Sequence, residues 1–339
     1  MAASRRSRRS SSPRRRVGVV LGAGGVLGAA WIAGALEALE SRLDRPLSEA
    51  DLVVGTSAGS VVAAALRCGA PVESFLMHEH HTVPPFQGAV DGFDRESGPF
   101  PPMPRLRVGS LRLLGSAARA PHHMNPWAVA SALLPQGRAH HDALTALLDA
   151  MLARADGYVT HGSRPWPRKP TWIMCLDYDS GRRVAFGRTD RTDAPTASLS
   201  DAVVASCSIP GWHQPAVIGG GHYVDGGVVS TTSLELIAET DLDEVFVLAP
   251  MASYHIDRPR NPATRAERLL RHFYTVQLTH EASKVRSAGI EVTLLTPGPE
   301  DLTAIGSNLM DPTRREHVVE VSRQTTSRQL ARLLHAGGR

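Results

Sequence analysis

Two short apolar runs near the start of the chain each end in a glycine-containing turn that leads into a helical pattern. The first run is Val17 to Leu21, and apolar residues then recur at helical spacing between Ala29 and Leu43. The second run is Leu52 to Val54, and the pattern of Val61 to Leu66 follows it. Successive strand–turn–helix units place their strands side by side and parallel, so this order predicts an α/β fold.

Later segments continue the alternation of strands and helices. The predicted strands are Thr171 to Leu176, Arg183 to Phe186, Glu244 to Leu248 and Val292 to Leu295. The predicted helices are Asp142 to Leu152, Ala197 to Ser206, Thr264 to Ser287 and Arg314 to Leu334. Turn residues 177–181 join the first two of these strands and predict a hairpin. We therefore expect a mostly parallel central sheet flanked by helices, in three layers.

Composition along the chain divides it into unequal parts. Residues 1–16 carry seven arginines and no acidic residue, and we expect this tail to be disordered. Residues 17–300 are expected to form one α/β domain, and residues 301–339 a C-terminal helical extension. Eight prolines fall within 84–126, which predicts an irregular insertion that is either an interfacial lid or a disordered linker.

Charge and cysteine content exclude several classes of protein. The net charge of +4 comes from the tail, because the body alone has a slight excess of acidic residues. The tail also lacks aromatic residues, so no nucleic-acid partner is expected. The three cysteines, Cys68, Cys175 and Cys207, are too far apart for a CxxC metal site or a disulfide framework, which fits a cytoplasmic location. Four glycines interrupt the apolar stretch at 22–28, which argues against a signal peptide or membrane span.

The segment Gly55-Thr-Ser-Ala-Gly59 places a serine between a buried strand and a helix. A sharp strand-to-helix turn exposes the serine oxygen at the sheet edge, and flanking glycines allow the backbone to approach closely. Ser57 is therefore predicted to be a nucleophile, and a plain tight turn is the alternative interpretation.

The segment from Gly22 to Gly28 follows the first predicted strand and opens the first helix. Unpaired backbone amides at such a position can bind a pyrophosphate or stabilise an oxyanion. The dinucleotide pattern would need a third glycine where Leu27 stands, so its spacing is wrong. An oxyanion-binding loop is favoured, and a purely structural turn remains the alternative.

A third glycine cluster surrounds Asp225, within Gly219-Gly-Gly-His-Tyr-Val-Asp-Gly-Gly227. Asp-Gly pairs are common in tight turns, so this pattern alone does not indicate chemistry. The preceding segment, Ala205 to Pro215, is polar and contains two prolines, which is more typical of the wall of a site than of a core strand.

In these stretches the chain resembles the patatin-like phospholipase family of serine acyl hydrolases. Ala23 to Gly28, Gly55 to Gly59, Ala205 to Pro210 and Asp225 to Gly227 take the places of that family's glycine loop, Gly-x-Ser-x-Gly motif, Ala-Ser-x-x-Ile-Pro segment and Asp-Gly-Gly/Ala motif, in the same order. The resemblance spans roughly residues 17–250. The motif positions that support it are Gly22, Gly28, Gly55, Gly59, Pro210, Gly226 and Gly227.

The resemblance implies a serine–aspartate dyad that cleaves acyl esters of lipids or phospholipids. Ser57 would be the nucleophile and Asp225 the base, with oxyanion donors at Gly24, Gly25 and Val26. It implies no metal and no cofactor, and a lipid substrate reached by transient contact with a membrane surface. For Asp225 to act as a base near neutral pH, partial burial should raise its pKa.

Two positions depart from the family pattern. Ala23 replaces the first glycine of the loop, and Leu27 replaces its basic residue. Neither change removes a backbone amide, so the departures bear on head-group preference and rate more than on the reaction class.

Two other functions remain open. An α/β-hydrolase triad would take its last member from the late histidines, which are His255, His272, His280, His317 and His335. A non-catalytic module that binds a nucleotide or a protein is the second alternative. The histidine clusters at 78–81, 122–123 and 140–141 lack partners at metal spacing and are expected to be solvated surface.

Overall fold

A computed structural model describes residues 14–69, 102–105, 107–120, 122, 124–153, 158–161, 164–191, 194–255, 257 and 259–337. Ten strands occur in these residues. In chain order they are β1 (Val17–Leu21), β2 (Leu52–Thr56), β3 (Tyr158–His161), β4 (Arg164–Pro167), β5 (Thr171–Asp177), β6 (Arg183–Phe186), β7 (Ala216–Ile218), β8 (Gly221–Asp225), β9 (Glu244–Leu248) and β10 (Glu291–Leu295).

Nine α-helices occur in the same described ranges. They are α1 (Gly25–Glu40), α2 (Ala58–Arg67), α3 (Leu111–Arg119), α4 (Pro126–Leu133), α5 (Asp142–Leu152), α6 (Leu199–Ser206), α7 (Pro262–Ser287), α8 (Pro299–Ile305) and α9 (Arg315–Gly337).

Eight of the strands form one mixed sheet at the centre of the molecule. Its order is β10-β9-β1-β2-β5-β8-β7, and β6 pairs with the edge of β5 that is opposite to β2 and β8. The five strands from β10 to β5 run parallel, whereas β6 and β8 run antiparallel to β5. The predicted mostly parallel sheet and the hairpin of β5 and β6 are therefore confirmed.

Helices cover both faces of this sheet, because successive residues of each strand point to opposite sides. Val19, Leu21 and Val53 pack into the core cluster that contains the apolar residues of α1, α2 and α6. Val20 and Val54 pack into a second cluster with the apolar residues of α7. The result is the expected three-layer α/β arrangement.

The C-terminal helix α9 is part of the main core. Val318, Val319 and Leu330 belong to the same cluster as α1. A Cβ atom at Gly34 of α1 would lie 2.2 Å from both the Ser322 Oγ and the Val319 carbonyl oxygen, so the two helices touch at their backbones. The described part of the segment 301–339 therefore covers one side of α1.

Parts of the two segments predicted to be irregular are among the described residues, whereas residues 1–13 of the basic tail lie outside them. At the end of the basic tail, Arg14 and Arg15 form ion pairs with Asp51, Glu244 and Glu291, which anchor them to the domain.

Within the insertion at 84–126, residues 84–101 lie outside the described residues, but α3 is a regular helix. Its start is capped by Ser110, whose side chain accepts a hydrogen bond from the Leu113 amide (3.1 Å). Leu113 itself is fully buried beside Tyr178 and Val224, so this part of the insertion packs into the domain. No helix in the described part of the chain is both long and apolar enough to cross a bilayer.

Candidate active site

Ser57 occupies the turn between β2 and α2, at the carboxyl edge of the parallel strands. Its φ of 52° lies in the left-handed region, which is rare for a residue other than glycine. The Ser57 amide donates to the Ser206 Oγ (2.8 Å), and the Ser206 hydroxyl donates to the Met174 carbonyl (2.7 Å). The Ser60 hydroxyl donates to the Ser57 carbonyl (2.6 Å). These bonds hold the strained turn from both sides.

The two glycines of the motif allow the close packing that this turn requires. A Cβ atom at Gly59 would lie 2.0 Å from the carbonyl oxygen of Leu21. One at Gly55 would lie 2.6 Å from the carbonyl oxygen of Gly59. Side chains at either position would push α2 away from β1 and β2, so glycine is sterically required at both.

The register of the sheet brings Asp225 level with Ser57. Thr56 at the end of β2 pairs with Met174 of β5, and the next residue of β5, Cys175, pairs with Asp225 at the end of β8. Ser57 and Asp225 therefore lie next to each other along the same edge of β5, because β6 pairs with the opposite edge at both Met174 and Cys175. Both are buried, with 6% of each residue exposed.

The carboxyl group of Asp225 has an unusual environment. Burial raises its pKa to about 6, and this effect is opposed by hydrogen bonding to the Ser57 side chain and to the Gly227 amide. The Gly227 amide donates to the Asp225 Oδ1 at 2.7 Å. The expected upward shift of the pKa by burial is present, so the group is a stronger base than an ordinary aspartate.

The loop after β1 lies beside the loop after β2, because Leu21 pairs with Gly55 across the sheet. The amides of Gly24, Gly25 and Val26 donate no hydrogen bond to another described residue. The neighbouring amides of Ala23 and Leu27, in contrast, donate to the carbonyls of Thr231 (2.8 Å) and Leu309 (2.9 Å). The three predicted donor positions are therefore the ones that remain unpaired at the start of α1 within the described chain.

A buried glutamate on α7, which the sequence did not single out, fixes the segment that follows Asp225. The Glu281 carboxylate accepts three hydrogen bonds from this segment, from the Ser230 hydroxyl (2.6 Å), the Thr232 hydroxyl (2.9 Å) and the Leu234 amide (2.8 Å). The carbonyl of Thr231, between them, accepts the Ala23 amide. Glu281 therefore links the Asp225 turn to the glycine loop.

The late histidines are not buried with Ser57 and Asp225. His255, His272, His280 and His317 are exposed, and the His335 side chain lies outside what the structure describes.

The histidine cluster at 140–141 is predicted to be solvated surface, but His141 is not exposed. The histidine cluster at 78–81 lies outside the described residues. The His141 ring stacks on the buried ring of His213, with 4.1 Å between centroids. Burial lowers the pKa of His141 to about 4 and that of His213 to about 3. No group of three metal-ligating side chains occurs among the described residues.

The fold and the geometry of this edge define an α/β protein with a serine at a strand-to-helix turn beside a buried carboxylate. Comparison with known families agrees with this class. The sequence profile described as Patatin-like phospholipase matches residues 19–78 and 122–237, which is more than half of the chain. The chain belongs to the patatin-like phospholipase family.

Solved structures with a similar fold are more distant. VipD from Legionella pneumophila is 14% identical, with a TM-score of 0.39 and coverage of 95% of this chain and 67% of VipD. The type III effector protein ExoU is 17% identical, with a TM-score of 0.34 and coverage of 95% of this chain and 54% of ExoU. The search of curated protein sequences gives no match. The family assignment therefore rests on the sequence profile.

Proposed function

We propose that this protein hydrolyses acyl esters of lipids, phospholipids among them, with Ser57 as nucleophile and Asp225 as general base. One observation carries the proposal. The register of the sheet places the buried Asp225 carboxyl, whose pKa burial raises to about 6, beside Ser57 at a strained strand-to-helix turn. Membership in the patatin-like phospholipase family supports a lipid ester as the substrate.

In the first step the Ser57 Oγ attacks the carbonyl carbon of the ester while its proton passes to the Asp225 carboxylate. The carbonyl electron pair moves onto oxygen, which the amides of Gly24, Gly25 and Val26 would stabilise. When the tetrahedral intermediate collapses, the ester C–O bond breaks and the leaving alkoxide takes the proton from Asp225. The products of this step are an alcohol and an acyl group bound to Ser57.

In the second step water replaces the alcohol. Asp225 accepts a proton from the water molecule as its oxygen attacks the acyl carbon, and the same amides hold the second oxyanion. Collapse returns the proton to the Ser57 oxygen and releases a fatty acid. Because one carboxyl group with a pKa near 6 is ionised at neutral pH and still basic, it can perform both proton transfers.

A dyad is favoured over the alternative triad by the surroundings of the carboxyl group. The pKa of Asp225 is set by burial, by the Ser57 side chain and by the Gly227 amide, and no histidine among the described residues contributes to it. Four of the five late histidines are exposed, and a bridging imidazole would have to be buried with both members of the pair. The membrane contact that a lipid substrate requires would be peripheral.

The test is hydrolysis of a panel of lipid esters and soluble short-chain esters by the wild type, Ser57→Ala and Asp225→Asn. Both variants should lose activity on all substrates, the second by roughly 10⁴-fold, because the base is neutralised without a change of shape. Ser287→Ala and Asp149→Asn are matched controls on the exposed surface and should keep full activity. Full activity of Asp225→Asn would exclude the dyad, and activity that survives in Ser57→Ala would exclude the nucleophile.

A further inference from the structure

Helix α7 presents an apolar strip on the side that faces away from the sheet. Leu269, Phe273 and Val276 lie at helical spacing on this side, and 73%, 36% and 57% of these residues are exposed. Trp127 of α4 extends the strip, since its ring lies 4.9 Å from that of Phe273 and the residue is 49% exposed. Contiguous exposed apolar side chains on one face are a marker of an interaction surface.

The border of this strip carries an excess of positive charge. A cavity of about 750 Å³ beside Leu269 is lined by the arginines Arg260, Arg265, Arg268 and Arg271. The segment 259–280 contains only one acidic residue, Glu267, which is buried and paired with Arg268 and Arg271. The other carboxylate at the cavity, Asp257, also pairs with Arg268.

Two of these arginines carry the excess charge. Arg260 and Arg265 are exposed and form no ion pair with another described residue. In addition, the buried Nη2 of Arg271 has no hydrogen-bond acceptor in the described structure. The cavity therefore offers guanidinium donors that an anionic oxygen would satisfy.

The strip adjoins the candidate active site. The Phe273 ring contacts that of Tyr274, with 5.5 Å between centroids, and the charge of Asp225 contributes to the raised pKa of Tyr274. One turn further along α7, the Gln277 side chain donates to the carbonyl of Val229, four residues after Asp225 (2.7 Å). A surface that contacts this strip would therefore lie next to the proposed dyad.

We propose that the outward face of α7, together with Trp127, docks on an anionic phospholipid surface. Leu269, Phe273 and Val276 enter the boundary between head groups and acyl chains, where Trp127 also prefers to lie. Arg260 and Arg265 at the border bind lipid phosphates, because charge complementarity favours an anionic over a neutral bilayer. This inference deepens the proposed function, since the docked surface would deliver its own lipids to Ser57.

Vesicle flotation of the full chain carrying Ser57→Ala tests the docking without hydrolysis. The vesicles are phosphatidylcholine alone, or phosphatidylcholine mixed with phosphatidylglycerol in equal parts. We expect stronger binding to the mixed vesicles, weakened by salt because the arginine contribution is screened. Arg260→Gln with Arg265→Gln should lower that binding by about tenfold, and Leu269→Asp with Val276→Asp should lower it on both kinds of vesicle.

Val217→Asp is the matched control, because Val217 lies on β7, away from the strip, and is 66% exposed. It should bind vesicles like the parent protein. An equal loss of vesicle binding in Val217→Asp would overturn the proposal. Unchanged vesicle binding by the two double variants, the one at Arg260 and Arg265 and the one at Leu269 and Val276, would overturn it as well. So would full competition by inorganic phosphate, which would indicate a site for a free anion, or a dimer in solution that Leu269→Asp dissociates.

The same pairs of substitutions, made in the protein that retains Ser57, distinguish this proposal from the proposed function. Hydrolysis of a soluble short-chain ester should stay at the wild-type rate, whereas hydrolysis of mixed vesicles should fall with the binding. If no ester of any kind is hydrolysed but flotation behaves as described, the catalytic proposal fails and the docking proposal stands.

Discussion

The raised pKa that makes Asp225 a better base also lowers the stability of the folded protein at neutral pH. Its pKa is about 6 in the protein, against an ordinary value of 3.8. Between these two values the folded protein holds a proton that the unfolded chain has released. The free energy of unfolding therefore falls as the pH rises from about 4 to about 6, and the cost at neutral pH is about 3 kcal/mol. Such a cost is expected where a buried charge serves chemistry.

Asp225→Asn should remove this cost while it removes activity. We expect its free energy of unfolding at neutral pH to exceed that of the wild type by about 3 kcal/mol, with the difference disappearing near pH 4. Urea denaturation across this pH range measures it. For the wild type, the rate of ester hydrolysis should rise about tenfold per pH unit below about pH 6 and level off above it. A variant no more stable than the wild type at neutral pH would mean that the carboxyl is not held in an unfavourable charged state.

The close packing of the turn around Ser57 predicts a loss of stability when a side chain replaces the hydrogen of Gly59. Gly59→Ala places a Cβ against the Leu21 carbonyl and should lower the free energy of unfolding by about 3 kcal/mol or more. Gly115→Ala in α3 is the matched control. Its Cβ meets only a flexible arginine side chain at 3.6 Å, so helix propensity should give a gain of about 1 kcal/mol. Denaturant midpoints of the two variants should therefore shift in opposite directions.

The sequence singled out these residues as candidates because their signals are local. Ser57 and Asp225 stand in short glycine-containing motifs, and the free amides at Gly24 to Val26 follow from the position of the glycines at a helix start. Ser206 and Glu281 act through partners 149 and about 50 residues away, so no local pattern reveals them. Ser206 lies inside the Ala-Ser-x-x-Ile-Pro segment, which was a signal for a site wall but not for a contact with the Ser57 amide.

At the scale of elements, patterns predicted best where strands and helices are buried and regular. The predicted bounds of β1, β6, β9 and α5 agree with the structure residue for residue. Helix α1 starts at Gly25, earlier than the apolar spacing from Ala29 indicated, because its first turn contains two glycines, Gly25 and Gly28.

The patterns failed where proline and glycine are frequent. Helices α3, α4 and α8 were missed, since proline suggested breaks where it occupies the first turn of α4 and α8. The short strand β7 was missed because glycines follow it directly.

The hydrogen bonds of Glu281 hold the segment after Asp225 against α7, and substitution of Glu281 tests their contribution. Glu281→Ala leaves two hydroxyls and one amide of the segment 230–234 without an acceptor in a buried position, which should cost about 3 kcal/mol of stability. The rate of soluble ester hydrolysis should fall as well, because Thr231 in this segment accepts the Ala23 amide of the glycine loop. Glu281→Gln keeps one carbonyl oxygen and should lose less of both. Equal effects of the two substitutions would contradict the hydrogen-bond explanation.

At the scale of the whole molecule, the C-terminal residues complete the domain. Thirteen of the 16 residues of α1 are buried, and α9 supplies part of the surface that buries them. The glycine loop depends on the same region, since the Leu309 carbonyl accepts the Leu27 amide and a Cβ at Gly25 would lie 2.9 Å from the Met310 Sδ. Composition alone cannot predict this packing, because α9 is mostly polar and its contacts with α1 are distant in sequence.

A chain that ends at residue 300 should therefore lose cooperative unfolding, since the apolar surface of α1 would face water. Thermal unfolding followed by circular dichroism checks this expectation. A chain that begins at Arg14 is the control, because it retains all described residues, and it should unfold like the full chain. Cooperative unfolding of the chain that ends at residue 300 would mean that the C-terminal helices are an independent extension.

The central claim is that Ser57 is activated by Asp225 without a histidine. Mass spectrometry of the protein after reaction with a fluorophosphonate tests it most directly. We expect one adduct on the peptide that contains Ser57, formed roughly 10³-fold more slowly in Asp225→Asn and at the wild-type rate when each late histidine is replaced. An adduct on another serine, an unchanged rate in Asp225→Asn, or loss of labelling with a single histidine would contradict it.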